Sequence, residues 1–421
     1  MPLLSLAKAS ADEAESYTSD FSTLTLEYAH GCFTVKQFSH EKGYALRVIK
    51  DNKLGFSSCN SDDGLQGAVD AALRSSAASP EVKYSFPHSQ KYPYLRTKNW
   101  DIEKLDENFA MGCAQQVVDA IREKAEPARV SLSLYFGKEE IENTNGLSAS
   151  MDGSSCSVYA EAKKGDLFGF SYFSSRLLPK DFGAIGREAA TMAAEMQDAR
   201  ALPTGKYTVC FSPYCLSQLV DFLLFHLSSE NVRRGVSALS KRKGERAFSE
   251  KLTVTDSLAA QASGAWPFDA EGVSAKSTAL IEKGKVMDFL FDTYTAARMG
   301  EEKEGSCSRP NYSMLPTPSQ SNIVIEKGDY PAHLASDCLY VESFHGMHTS
   351  NTISGDFGVQ ADIAFFMRGK GEKFPVTNML LTGNIFNLFN SIANVGDAQE
   401  TWDDLIAPKI WFSGVQLVGP K

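Results

Sequence analysis

Along the first two hundred residues, apolar and polar positions alternate in short runs broken by alanine-rich stretches, and this arrangement occurs twice. From Tyr44 to Phe56 the period is two on either side of Asp51-Asn52, which predicts two strands joined by a tight turn. Ser61-Asp-Asp-Gly64 and an alanine-rich helix over 65–77 follow. Val158 to Phe170 repeats the strand-turn-strand pattern, and a helix is predicted over 181–196. In both copies a Gly-Phe pair closes the second strand, Gly55-Phe56 and Gly169-Phe170, and Leu24–Tyr28 corresponds to Ser131–Tyr135. Each phenylalanine is expected to pack beneath the helix that follows it. The copies, about 20–80 and 129–200, imply an α+β region built by duplication.

Between the copies, residues 80–100 are rich in Pro, Tyr, Ser and Lys and read as an extended connector. Residues 101–124 then carry Leu105, Phe109, Cys113, Val117, Ala120 and Ile121 at helical spacing. Leu202-Pro-Thr-Gly205 marks a boundary, so the expectation is an N-terminal region over 1–204 and a C-terminal domain over 205–421. Short strands separated by Gly, Asp and Asn make the second domain mostly β and barrel-like. Its one strong helix runs from Pro213 to about Glu230, with Leu216, Leu219, Val220, Leu223, Leu224 and Leu227 as the buried stripe.

The 421 residues are long enough for two or three domains, and 42 basic against 52 acidic residues give a net charge of −10, which disfavours nucleic acid as a partner. The N-terminus has no apolar run of signal-peptide type, and the longest apolar stretch, 216–227, is interrupted by Ser217, Gln218, Asp221 and His226. A cytoplasmic protein without a membrane partner is expected. Eight cysteines without a CxxC pair argue against a disulfide framework or a cysteine zinc knuckle. Cys307, in a polar loop beside Arg309, is the one thiol with a conceivable reactive setting.

Two clusters offer chemistry. Phe268-Asp-Ala-Glu-Gly272 sets Asp269 and Glu271 two apart, on one face if the segment is a strand, or in a polar turn whose acids accept backbone N–H bonds or meet a partner's basic group. Glu342-Ser-Phe-His-Gly-Met-His348 gathers one carboxylate and two histidines, but a strand ending in a glycine turn need not bring them together. His348 is expected to hydrogen-bond a loop backbone, with Asn351 and Asp356 shaping turns in the same way.

Gly205-Lys-Tyr207, Pro267–Gly272, Leu280-Ile-Glu-Lys-Gly284, Tyr294-Thr-Ala296, Gly346-Met-His348, Ser354–Gly358, Gly383-Asn384 and Asn394-Val-Gly-Asp397 stand in an order and spacing that resemble the TldD/PmbA family, also called modulator of DNA gyrase. The resemblance runs from about Ala45 to the end and includes Arg47. In the TldD-like branch a helix carries His-Glu-x-x-x-His, two zinc ligands and a general base. The corresponding helix here, Val220 to Asn231, would place the first histidine at His226, but Leu227 and Asn231 occupy the base and second-ligand positions. That branch also has a late cysteine ligand, whereas this chain has no cysteine after Cys338, and its ending, Pro408 to Gly419, resembles the PmbA or TldE branch. Glu304–Arg309 replaces the family's Thr-Gly-Asn ahead of an arginine, with Arg309 retained.

The resemblance implies a non-catalytic subunit with no cofactor of its own. Zinc is expected in a TldD-like partner subunit, as a heterodimer, with a homodimer open to the isolated chain and an unfolded peptide as substrate. Asp269, Glu271, Arg309, His348, Asn351 and Asp356 are its candidate peptide or partner-interface residues. Rival readings are an independent hydrolase with a non-zincin site and a regulatory protein-binding module.

Overall fold

The computed structural model describes residues 2–420 other than 104, 105, 258, 259, 261, 275, 303, 304, 335 and 370. Helix α1 (Pro2–Ala7) leads into β1 (Glu13–Ala29), β2 (Cys32–Lys50), β3 (Lys53–Cys59) and α2 (Leu65–Ala78). After the connector come α3 (Trp100–Glu103), α4 (Glu107–Arg122), β4 (Glu126–Asn143), β5 (Ser148–Lys164), β6 (Leu167–Ser175) and α5 (Phe182–Glu195). The six strands make one antiparallel sheet in the order β3-β2-β1-β4-β5-β6. Each copy of the pattern is therefore a three-strand meander followed by a helix. The copies meet where β1 pairs β4, with Leu24 opposite Leu134 and Leu26 opposite Leu132. Asp51 and Asn52 close the β2–β3 hairpin with φ of 50° and 57°, a conformation that these two side chains tolerate.

The Gly-Phe pairs act in the reverse of the expected sense. A Cβ on Gly55 would stand 2.0 Å from the Ala72 carbonyl oxygen of α2, and one on Gly169 would stand 2.2 Å from the Ala193 nitrogen of α5, so the glycine is what lies beneath each helix. Neighbours on a strand point to opposite faces, which turns Phe56 and Phe170 away from their helices. Phe56 joins a cluster with Tyr17, Ala45 and Phe268, and Phe170 one with Ile363, Phe365 and, from the end of its own helix, Met192 and Met196, so both reach residues of the other half of the chain.

The single helix predicted over 101–124 is broken. Asp106 caps α4 by accepting from the Phe109 N–H, which starts a new helix after α3. Cys113, Val117, Ala120 and Ile121 are buried as expected, Phe109 is 48% exposed, and Leu105 lies outside the described residues.

The second half begins with β7 (Gly205–Phe211), α6 (Pro213–Leu227) and α7 (Ser229–Arg233). Short strands β8 (Val254–Asp256), β9 (Thr278–Glu282), β10 (Lys285–Val286), β11 (Cys307–Ser308), β12 (Thr317–Pro318) and β13 (Ile323–Ile325) follow, with α8 (Thr293–Met299) between β10 and β11. The chain closes with β14 (Cys338–His345), β15 (Asp356–Arg368), β16 (Glu372–Val376), β17 (Met379–Asn384), α9 (Ile385–Asn390), β18 (Ile392–Trp402) and β19 (Leu405–Val418). Strands β7, β14, β15, β17 and β19 pair in a ring, parallel between β7 and β14 and antiparallel elsewhere, which is a mixed five-stranded barrel. The leucine stripe of α6 joins the barrel's hydrophobic core in full. The fold is thus α+β, with a duplicated sheet-and-helix region followed by a barrel.

Candidate functional site

Helix α6 starts where Ser212 accepts from the Cys215 N–H at 3.2 Å with Pro213 in the first turn, and it brings His226 to its last turn, fully buried. The backbone N–H of Ala238 donates to Nδ1 at 3.1 Å, so the ring proton sits on Nε2, which donates to the Thr352 carbonyl at 3.0 Å. The ring lies between Phe225 and Phe386, and burial pushes its pKa down, which keeps it neutral. Leu227 is a fully buried core residue, and the Asn231 amide donates to the Phe225 carbonyl at 2.9 Å. With no nitrogen lone pair to spare at His226 and no second donor of the motif kind, these positions do not fit a catalytic zinc ion.

A different cluster joins the two halves. Arg47 on β2 donates Nε and Nη2 to the two oxygens of Glu15 on β1, at 2.8 and 2.7 Å, and Nη1 to Glu271 at 2.6 Å. Arg309 donates Nη2 to Glu15 at 2.8 Å and Nε to the Ala270 carbonyl at 3.1 Å, its guanidinium lying over the Tyr17 ring. All four side chains are at most 4% exposed. Burial opposes the charge on Arg47, but Glu15 and Glu271 outweigh it and hold the guanidinium above its usual range; burial and then Arg47 lower that of Arg309. The connector seals the cluster: Phe86 lies against Arg47, and the Tyr92 hydroxyl donates to the Gly272 carbonyl at 2.8 Å.

Asp269-Ala-Glu271 is the polar turn, not a strand. Asp269 Oδ1 accepts from the N–H groups of Glu271 and Val273, and Oδ2 accepts from the Cys307 thiol at 3.0 Å. Glu271 Oε2 accepts from both the N–H and the hydroxyl of Thr293. Donor atoms of Asp269, Glu271 and Cys307 all lie within 4.8 Å of one another, so this buried triad is a set that a metal ion can use, away from any His-Glu-x-x-x-His helix. In the folded chain these donors already hold protein partners, and Arg47 touches one of the carboxylates. Three of the candidate residues thus converge, together with Glu15 and Arg47, which the spacing of residues did not single out as a site. Glu304, upstream of Arg309, lies outside the described residues.

His348, Asn351 and Asp356 lie elsewhere, exposed. The Asn351 carboxamide accepts from the N–H groups of Ile353 and Ser354, and Asp356 accepts from the Ser354 hydroxyl and the Asn384 amide, bonds that lower its pKa. His345 pairs with Asp362, Nδ1 to Oδ1 2.6 Å, and not with Glu342 or His348. Glu342 instead lines a groove with Glu188 and Lys373, where burial pushes its carboxyl up to about 7. His345 and Asp362 stand at a cleft of about 760 Å³ between β5–β6 and the barrel. One wall is a continuous aromatic array in which Tyr159 stacks on Phe170, Phe170 meets Tyr214, and Trp402 contacts both Tyr214 and Tyr172 at 5.1 and 4.6 Å.

The sheet-and-helix region and the barrel domain match a known class of metallopeptidase scaffold. The PmbA/TldA metallopeptidase domain 1 matches residues 21–76, the central domain 100–197 and the C-terminal domain 204–419. The chain belongs to the PmbA/TldD metallopeptidase family. An uncharacterized protein of Methanocaldococcus jannaschii is 27% identical over 381 residues, 88% of each chain. A protein of Methanothermobacter thermautotrophicus named metalloprotease is 26% identical over 229 residues, 52% of this chain and 48% of its own. The crystal structure of TldE from Thermococcus kodakarensis superposes with a TM-score of 0.90 over 99% of each chain at 22% identity, which shows a shared fold. Among the described residues no helix is long and apolar enough to cross a membrane.

Proposed function

We propose that this chain is the zinc-free, TldE-like subunit of a cytoplasmic two-chain metallopeptidase. In this reading it pairs with a zinc-bearing TldD-like chain and helps present an unfolded peptide for cutting. The observation that carries it is the state of α6: both nitrogens of His226 are committed to the fold, and Leu227 and Asn231 stand where the base and second ligand would be. The fold shared with TldE and the absence of a cysteine beyond Cys338 support the same assignment. An extended peptide can satisfy its backbone on an open strand edge, and β6 ends the six-stranded sheet beside the barrel.

The test is reconstitution. The purified chain, a zinc-bearing TldD-like chain and their mixture are compared on an unstructured peptide, with size measured in parallel. Cleavage that needs both chains and stops with chelator supports the assignment; full activity of the zinc-bearing chain alone overturns it. The His345–Asp362 pair in a large cleft favours one rival, an independent hydrolase. Chelator-insensitive cleavage by this chain alone, lost in His345→Ala, would establish that rival instead.

A further inference from the structure

The cleft between β5–β6 and the barrel has a one-sided chemistry. Carboxylates Glu161, Asp166 and Asp362 line it together with the aromatic array, and among its described lining residues there is no lysine or arginine. Two cations stand beside it: Arg129, which acts on Glu161, pairs with Glu27 at 2.8 Å, and Lys163 lies over the ring of the lining residue Phe168 at 5.8 Å. His345, itself exposed, holds Asp362 with Nδ1 2.6 Å from Oδ1. An aromatic wall facing fixed carboxylates attracts a cation on an apolar stem, because ring faces and acids act on the charge while the stem replaces water against the rings. A planar guanidinium stacks on such a wall and pairs with a carboxylate through two N–H bonds, which an ammonium does less well.

We propose that this cleft binds a basic side chain of an extended peptide, arginine above lysine, with the charge between the aromatic array and Glu161, Asp166 and Asp362. This inference rests on the peptide-presenting role proposed above and adds a side-chain preference to it. It locates that preference on the zinc-free chain itself.

Binding to the purified full chain is measured by fluorescence anisotropy with labelled unstructured peptides that differ at one central residue: arginine, lysine, citrulline or leucine. Citrulline keeps the shape of arginine and removes the charge. The arginine peptide is expected to bind about tenfold more tightly than the citrulline peptide, with lysine between them. The double variant Glu161→Gln, Asp362→Asn should erase that advantage while leaving the citrulline peptide unchanged. Removing exposed acids outside the cleft, Glu107→Gln with Asp119→Asn, should leave the advantage intact, which separates the cleft from general attraction to an acidic chain. Trp402→Ala should weaken all four peptides.

Equal binding of the arginine and citrulline peptides, an advantage that survives the double variant, or no binding by any peptide overturns the inference. Because no zinc-bearing chain is present, the outcome is independent of cleavage. A pair of chains that cuts peptides without an arginine preference removes this inference and keeps the subunit role; a preference without cleavage by the pair does the reverse.

Discussion

Replacing Arg47 by methionine keeps an apolar stem against Phe86 and removes the guanidinium that joins Glu15 to Glu271. Glu271 keeps its bonds from Thr293 but loses its ion pair to Arg47, whereas Glu15 still holds Arg309 at 2.8 Å. Removing one partner of a buried ion pair costs about 3–5 kcal/mol, and the surviving contact to Arg309 sets the expectation at the lower end, about 3 kcal/mol. With an unfolding entropy of about 0.9 kcal/mol/K for 421 residues, the midpoint falls by about 3–4 °C if the chain melts as one unit.

Calorimetry on Arg47→Met, Glu271→Gln and the double variant checks both the size and the cause. Glu271→Gln can still accept from Thr293, so its own cost is smaller. The double variant no longer buries an unbalanced carboxylate, so it should be more stable than the sum of the single costs predicts by at least ~1 kcal/mol. Strictly additive costs, or an Arg47→Met protein that melts with the parent, would refute the view that this cluster locks the two halves of the chain together.

Three further outcomes follow from particular contacts. Protein stripped of metal and reconstituted with zinc should hold no stoichiometric zinc by elemental analysis; one tight zinc lost on Cys307→Ala would transfer metal binding to the Asp269/Glu271/Cys307 triad. Glu342 has a folded-state pKa raised to about 7 by burial, so the folded chain binds the extra proton and stability is lost as pH rises from about 4.5 to about 7; Glu342→Gln should therefore stabilise by ~1–3 kcal/mol at pH 8 and by nothing at pH 4, as denaturant titrations at both pH values would read. Gly55→Ala should cost ~2 kcal/mol or more because its Cβ meets the α2 backbone, whereas Gly67→Ala, on the exposed side of the same helix with nothing within 4 Å, should gain ~0.5–1 kcal/mol.

The strand-turn-strand-helix copies were legible because they are local: alternation, a positive-φ Asp-Asn turn and an alanine-rich helix all lie within some thirty residues. The role of the Gly-Phe pairs was not, since the same two letters serve a helix lying on the glycine or one lying on the phenylalanine. Across 101–124 the apolar spacing continues past Asp106, whose side chain caps the start of α4, so periodicity alone does not mark the break after α3.

The site shows the same limit more sharply. Asp269 and Glu271 were visible as a carboxylate pair, and the polar-turn reading of them matches the bonds that Asp269 accepts. What makes Glu271 unavailable as a simple acid or base is Arg47, 224 positions away in sequence and brought there by the pairing of β1 with β2 beneath the connector. The aromatic cleft was hidden for a related reason. Phe168, Phe170 and Tyr172 alternate along β6 and could be read as one face of a strand, but Tyr214 and Trp402 come from α6 and the end of β18. A sequence pattern states which groups exist and on which face they emerge. Their chemistry depends on the groups that arrive from distant elements, so the acids facing Arg47 are taken up by the fold, while those of the cleft face a space whose described lining has no lysine or arginine and a single histidine, His345, on Asp362.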